Sequence, residues 1–496
     1  VIRTGVDWDR PVPTRTWIVL AVVALGAFLL TAALPERDSL RYGLAFVLGA
    51  ELAFLGWVAP RRSILVIFGW LIVLGTTRRL VSWSAVDLSP DPLLLVGPAG
   101  LATLSVQAWR AGALRRWSVL SVMVAALSVV ALFEVFNSRQ GPVRAGLVGL
   151  LFWLVPMLWF WVGRAFGDRR LMTAVYGLFA AACVVIAFYG LGQSFVGFPA
   201  WDRQWITDHG YAALFIGNPF VGGSRPFGFA SSAVEYSLTV ALGVFLVLLF
   251  LGAAIRRGSW GLAAVLAAGA GVCTVALAVS GFRTAIVTLF VALVASALLR
   301  WRPSVPVVLL LLGVILASYA ALWVVNVDSW SGDGTVGQMR RAVVGLRNPF
   351  NAGDSTLPDH IRIARRGLER GWHEPLGSGT GTTLHSDGAG YARFVLDTEF
   401  DVSNGAVAFG LVGILLTGAM LLWGLGLAAA RAWRRPDLVH LAAFGVLVIS
   451  FRFWWNGGHY ALAPLLWFGL GWLDAAGPYR RGRGRARVSS YASARS

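Results

Sequence analysis

The sequence is a succession of apolar runs, each about 17 to 22 residues long, separated mostly by short polar turns. A helix of that length crosses the ~30 Å hydrocarbon core of a bilayer, and no stretch large enough for a soluble domain is left over. The runs lie at 16–34, 42–59, 63–77, 93–109, 117–136, 145–163, 171–191, 236–255, 260–279, 284–299, 304–325, 403–424, 438–455 and 459–476. They predict an all-α fold, a polytopic membrane bundle of about 14 transmembrane helices. Composition agrees, with 57% hydrophobic and 13% charged residues and a mean hydropathy of +0.69. The opening "VIRTGVDWDRPVPTRT" is polar and the first run is a full span, so the first helix is expected to act as its own targeting signal.

Orientation follows from arginine, because the chain has no lysine and all 42 basic residues are Arg. Fourteen spans with the N-terminus inside place 24 Arg against five Asp or Glu on the cytoplasmic side, in turns such as "PRRS", "GDRR" and "RAWRRPD" and in both tails. The outer side then carries 18 Arg and 18 acidic residues, with Glu51 left inside a span. That is the asymmetry of the positive-inside rule, so both termini are expected in the cytoplasm. The basic tail "YRRGRGRARVSSYASARS" meets anionic membrane lipid in this arrangement rather than nucleic acid. Cys183 and Cys273 both fall in apolar runs and read as small core residues, with no disulfide framework or zinc site in view.

The segments expected are a cytoplasmic tail (1–15), a first group of helices (16–191), an outer loop (192–235), central helices (236–325), a large outer loop (326–402), a last group of helices (403–476) and the basic tail (477–496). Long loops that are not linkers tend to carry function. Within the second, "DHIRIARRGLERGW" at 359–372 has an apolar stripe among arginines and reads as a short helix lying along the membrane surface. The glycine-rich "PLGSGTGTTLHSDGAG" that follows reads as a loop.

In "SGFRTAIV" at 280–287 an arginine stands between two apolar runs, where a charge is costly and calls for a reason. Snorkelling at a helix end is the plain alternative for Arg283. Two more arginines fall on the same predicted face: Arg225 in "GGSRPFGFASSAVEYS" and Arg452 in "VISFRFWWNGGH". Guanidinium forks can each hold a phosphate through two hydrogen bonds, and two of them can stabilise a diphosphate without a metal. For Arg452 an interfacial anchor beside Trp454 and Trp455 is the competing reading.

Here the residues resemble a family. "RPFGFASSAVEYS" is similar to the R-P-F-G-x-F segment of O-antigen ligase and polymerase proteins, and "SGFRTAIVTLF" resembles their S-G-S-R-T-A, with Phe282 in place of the second serine. "PLGSGTGTTL" is similar to the P-L-x-G-x-G turn, and "TEFDVSNGAVAFGLVGIL" resembles the polar cluster that leads into E-x-G-L-x-G. The likeness covers roughly 220–420. It implies an integral-membrane glycosyltransferase that uses a polyprenyl-diphosphate-linked glycan donor and a glycan or glycolipid acceptor outside a bacterial cytoplasmic membrane, inverting the linkage with no cofactor. It would place Arg225 and Arg283 on the donor diphosphate, with Arg362 as a further candidate from the large loop. Many members carry a His-Asn pair before the helix that follows the loop; this chain has "LDTEFDVSN" there. Glu399, Asp401 and His385 are then the candidate bases, with helix capping the alternative for the two carboxylates. A different class, a transporter or flippase of lipid-linked oligosaccharide, predicts two similar bundles around a mid-membrane cavity instead.

Overall fold

The computed structural model describes residues 37–84, 91–209, 225–302, 335–351, 353–383, 391–396, 398, 400–456 and 458–475, with isolated positions between 304 and 330. The chain forms an all-helical, multi-pass membrane bundle, and no strand occurs among the described residues. The described helices are α1 (Arg37–Val58), α2 (Pro60–Ser84), α3 (Val96–Arg110), α4 (Val119–Glu134), α5 (Val143–Phe166), α6 (Arg169–Phe195), α7 (Ala200–His209), α8 (Ala233–Arg256), α9 (Trp260–Ser280), α10 (Arg283–Trp301), α11 (Thr335–Arg347), α12 (Leu357–His373), α13 (Asp401–Arg434), α14 (Leu438–Ile449) and α15 (Leu462–Ala475).

Nine of them are long and apolar enough to cross a membrane, and α4, α14 and α15 are shorter apolar helices. These twelve answer to twelve of the fourteen expected runs; the run at 16–34 lies outside the described residues, as does the greater part of that at 304–325. The run expected over 438–455 stops at Ile449, because the backbone leaves the helix at Ser450 and buries Phe453, Trp454 and Trp455 in a turn against α13 and α15.

Helices pack closely where glycine removes the side chain between them. A Cβ at Gly163 of α5 would meet the backbone of Phe468 in α15, and one at Gly471 would meet that of Phe160, so the two helices approach backbone to backbone. Phe68, Trp159, Phe179 and Phe468 interlock at the centre, with ring centroids 4.7 to 6.1 Å apart.

The connections sort into two rims. One gathers the α2 end, the α4–α5 turn, the segments around α7, the α9–α10 turn, α11, α12 and the α14–α15 turn. It is tied by Arg78–Asp91 at 2.6 Å, Gly381 N–H to Gln140 Oε1 at 2.9 Å, and Ser231 Oγ to the Gly458 carbonyl at 2.9 Å. The other joins the α1–α2, α3–α4, α5–α6 and α13–α14 turns to the α15 end through Arg61–Asp168 at 2.9 Å, Arg164–Asp474 at 3.2 Å, Arg169–Asp437 at 3.5 Å and the Ser118 hydroxyl, which donates to Asp474 at 2.8 Å. We call the first the loop rim.

Candidate functional site

At the loop rim α9 turns into α10 through two residues. Gly281 (φ 63°) caps α9 in the left-handed region that favours glycine, Phe282 is extended, and α10 begins at Arg283 with no side-chain cap. The first amides of such a helix end point outward with partial positive charge, which favours an anion.

Three guanidinium groups meet consecutive residues of this turn. Arg225 lies over the Phe282 ring with its Cζ 6.0 Å from the centroid. Arg283 is the first helical residue, and Arg452 Nη1 donates to the Thr284 hydroxyl at 3.5 Å. All three are half-buried. Arg283 reaches into the large loop, where Nη1 donates to the Asp354 carbonyl at 3.5 Å and Nη2 to the Thr356 hydroxyl at 3.2 Å. Among the described residues no carboxylate pairs with Arg283.

The segment that follows Arg225 is held in place by a buried network. Arg79 of α2 pairs with Asp202 at 2.8 Å and donates to the carbonyls of Gly228 (2.5 Å) and Ala230 (2.7 Å), while its guanidinium lies 4.5 Å from the Phe227 centroid. Asp202 also accepts from Tyr189 and Gln193, both at 2.8 Å, and Gln193 accepts from the amides of Phe227 and Gly228. Glu235 closes the segment by accepting from the Ser231 amide at 2.7 Å and hydroxyl at 2.8 Å. "RPFGFASSAVE" is thus a clamped turn, and nearly every polar group in it has a use.

Beside this, Asp91 binds Arg78 at 2.6 Å and Arg41 at 3.8 Å, and Arg78 donates to the Tyr460 hydroxyl at 2.5 Å. The sequence reading missed Arg41, Arg78 and Arg79. Its only signal for Arg78 and Arg79 was an arginine pair at the end of an apolar run, which reads as an ordinary turn.

The remaining expected site residues are placed differently. Arg362 is exposed on α12 and pairs with Asp359 at 2.7 Å; no contact joins it to Arg225 or Arg283. Asp401 is buried at the start of α13, where its carboxylate accepts from the Trp455 amide at 2.8 Å and its own amide donates to the Arg452 carbonyl at 3.1 Å. That is the position of a turn-holding group, and it fixes the segment bearing Arg452. Glu399 and His385 lie outside the described residues. His440 is at the opposite rim, 2.9 Å from Asp437, and His459 packs against Phe453. Cys183 and Cys273 are free and buried.

The glycine-rich segment is a loop over its described part, and a buried one. Ser378, Thr380, Thr382 and Thr383 are fully buried, and Gly377 (φ 76°) and Gly379 (φ 105°) supply the turns between α5 and α13. The Ser378 and Gly379 amides donate to the carbonyls of Val407 and Ala408, and Leu411 N–H donates to the Pro375 carbonyl. These bonds satisfy a break in α13 at Gly410, whose φ of 62° and ψ of −142° leave the helix. At the head of the segment Glu374 accepts from Ser378 at 2.8 Å, Arg139 at 3.0 Å and Arg370 at 3.2 Å. Burial raises its carboxyl, but the hydroxyl and the two guanidiniums outweigh burial and hold it below the usual carboxylate value.

The helix expected over 359–372 spans Leu357–His373. Gly367 and Gly371 seat it on Ser403 and Ala406 of α13, which leaves Leu357, Ile361, Leu368 and Trp372 exposed beside Arg365 and Arg366. No protein-family model matches the chain, and no curated protein matches it significantly.

Proposed function

We propose that the protein is a bacterial membrane glycosyltransferase that transfers or polymerises glycan from a polyprenyl-diphosphate-linked donor at the outer face of the cytoplasmic membrane. One observation carries the reading: Arg225, Arg283 and Arg452 gather on three consecutive residues at the uncapped start of α10. Guanidinium forks gathered at a positive helix end favour a negative charge there. A diphosphate at headgroup depth supplies that charge. The loop rim, which bears Arg225, Arg283 and the large loop, is then the outer face.

In the reaction the acceptor hydroxyl oxygen bonds to the anomeric carbon as the bond from that carbon to the diphosphate oxygen breaks, inverting the linkage. The hydroxyl proton passes to a base, for which Glu399, Asp401 and His385 stand as candidates. The guanidiniums take up the charge that develops on the leaving diphosphate, a task that calls for no metal.

The second reading, a flippase of lipid-linked oligosaccharide, draws on the broken helix α13, since discontinuous helices line transport sites. Its break is filled by residues 375–379 of the same chain rather than by a cavity, which favours the enzyme. The deciding assay supplies a purified lipid-linked oligosaccharide and acceptor and follows release of polyprenyl diphosphate. Full activity in both Arg225→Ala and Arg283→Ala would sink the proposal, and movement of the donor between leaflets without release would favour the flippase.

A further inference from the structure

Gly345 sits, buried, in the last turns of α11. The Arg283 guanidinium occupies the space that a side chain there would fill: a Cβ on Gly345 would fall within the van der Waals radius of Arg283 Nη1 and 2.9 Å from the Asp354 carbonyl oxygen. The same guanidinium donates to that carbonyl and to the Thr356 hydroxyl. Three points of the large loop, all within residues 345–356, therefore hold a side chain that belongs to α10. Glycine in a helix is ordinarily the poorer choice beside alanine, so its use here calls for a local reason, and the guanidinium against its backbone provides one.

We infer that Gly345 is a positioning residue: its missing side chain forms the seat of the Arg283 guanidinium, so that the large loop sets where this charge is presented to the donor diphosphate. The inference rests on the anion-binding reading of Arg283. It makes α11 part of the donor site without any residue of α11 touching the donor.

The test uses the full chain in nanodiscs and farnesyl diphosphate, a short isoprenyl diphosphate, as the binding probe. Gly345→Ala should weaken binding about tenfold, the range of one charge-assisted contact. Arg283→Ala should weaken it at least as much, and the double variant no further. Thr356→Val, which removes one hydrogen bond and adds no bulk, should weaken it about threefold. Wild-type binding by Gly345→Ala while Arg283→Ala has lost it, or losses that multiply in the double variant, would overturn the seat. Melting temperature gives a readout that does not need the ligand. Gly345→Ala should lower Tm when Arg283 is present and leave it unchanged or raised when residue 283 is alanine, because only the helix preference of alanine then remains. The same Tm shift in both backgrounds would overturn the seat as well. Binding by Arg283→Ala equal to wild type would remove the anion reading, and with it the function given to the seat, even if the thermal coupling held.

Discussion

Two groups of arginines lie at the same rim and differ in what surrounds them. Arg41 and Arg79 are almost wholly buried and Arg78 nearly so, and together they face Asp91 and Asp202 at distances of 2.6 to 3.8 Å. Arg225, Arg283 and Arg452 are half-buried and rest on an aromatic ring, a carbonyl and hydroxyls around the α10 start. The first group has its counter-charges built in and therefore holds backbone in place. In the second, Arg283 has no carboxylate partner among the described residues and is held by a loop carbonyl and hydroxyl, while the Arg452 guanidinium interacts with the Asp401 carboxylate. Guanidinium identity alone does not separate Arg79 from Arg283; the carboxylate beside Arg79 does.

The contrast can be broken by substitution. The largest effect should come from Arg79→Ala, which strands the buried Asp202 carboxylate and should cost about 3–5 kcal/mol of stability, read as a large loss of folded yield and Tm in detergent. A variant that melts like wild type would remove the claim that this group is structural. Next, Arg283→Ala should leave Tm close to wild type while lowering the rate of diphosphate release about 10²–10³-fold, the effect of deleting one charge-stabilising donor. A fall in Tm matching that of Arg79→Ala would merge the two groups and end the comparison.

A smaller effect attaches to Glu374, which ties the α12 end to Arg139 and Ser378. Its carboxyl is held below its ordinary value of 4.5, so its contribution is complete at neutral pH and disappears as pH falls through the folded value. Proteolysis near residues 374–383 should therefore quicken below about pH 4.5 in the wild type, and Glu374→Gln should be equally quick at pH 7. A pH response that survives unchanged in Glu374→Gln would assign it to another group. Smallest of all, Arg362→Ala should change both Tm and activity by less than about twofold equivalents, because an exposed ion pair with Asp359 contributes roughly 0–1 kcal/mol. A large loss of activity there would bring Arg362 back to the diphosphate.

Bundle architecture was legible because bilayer thickness forces long apolar runs, and the helix at 357–373 was legible because its arginines leave a clean apolar stripe. That Arg225, Arg283 and Arg452 share one rim was legible from the order of the spans, but their meeting at a single turn was not. What stayed hidden depended on partners far away in sequence. Arg79 and Asp202 are 123 positions apart and share no periodicity, and Gly410 looks like any other glycine in an apolar run although it alone breaks α13. The polar "SGTGTT" read only as a loop, and its burial was hidden because its hydrogen-bond partners, Gln140, Gly146, Val407 and Ala408, lie in other elements.

The turn of Gly281 and Phe282 has a further consequence. With two residues between helices there is no slack, and α9, at 21 residues and about 1.5 Å each, is about as long as the hydrocarbon is thick. The lipid layer itself therefore acts as a depth gauge for Arg283. A bilayer a few ångströms thicker or thinner shifts the guanidinium relative to the headgroup plane, and with it the height at which a lipid-borne anion must arrive.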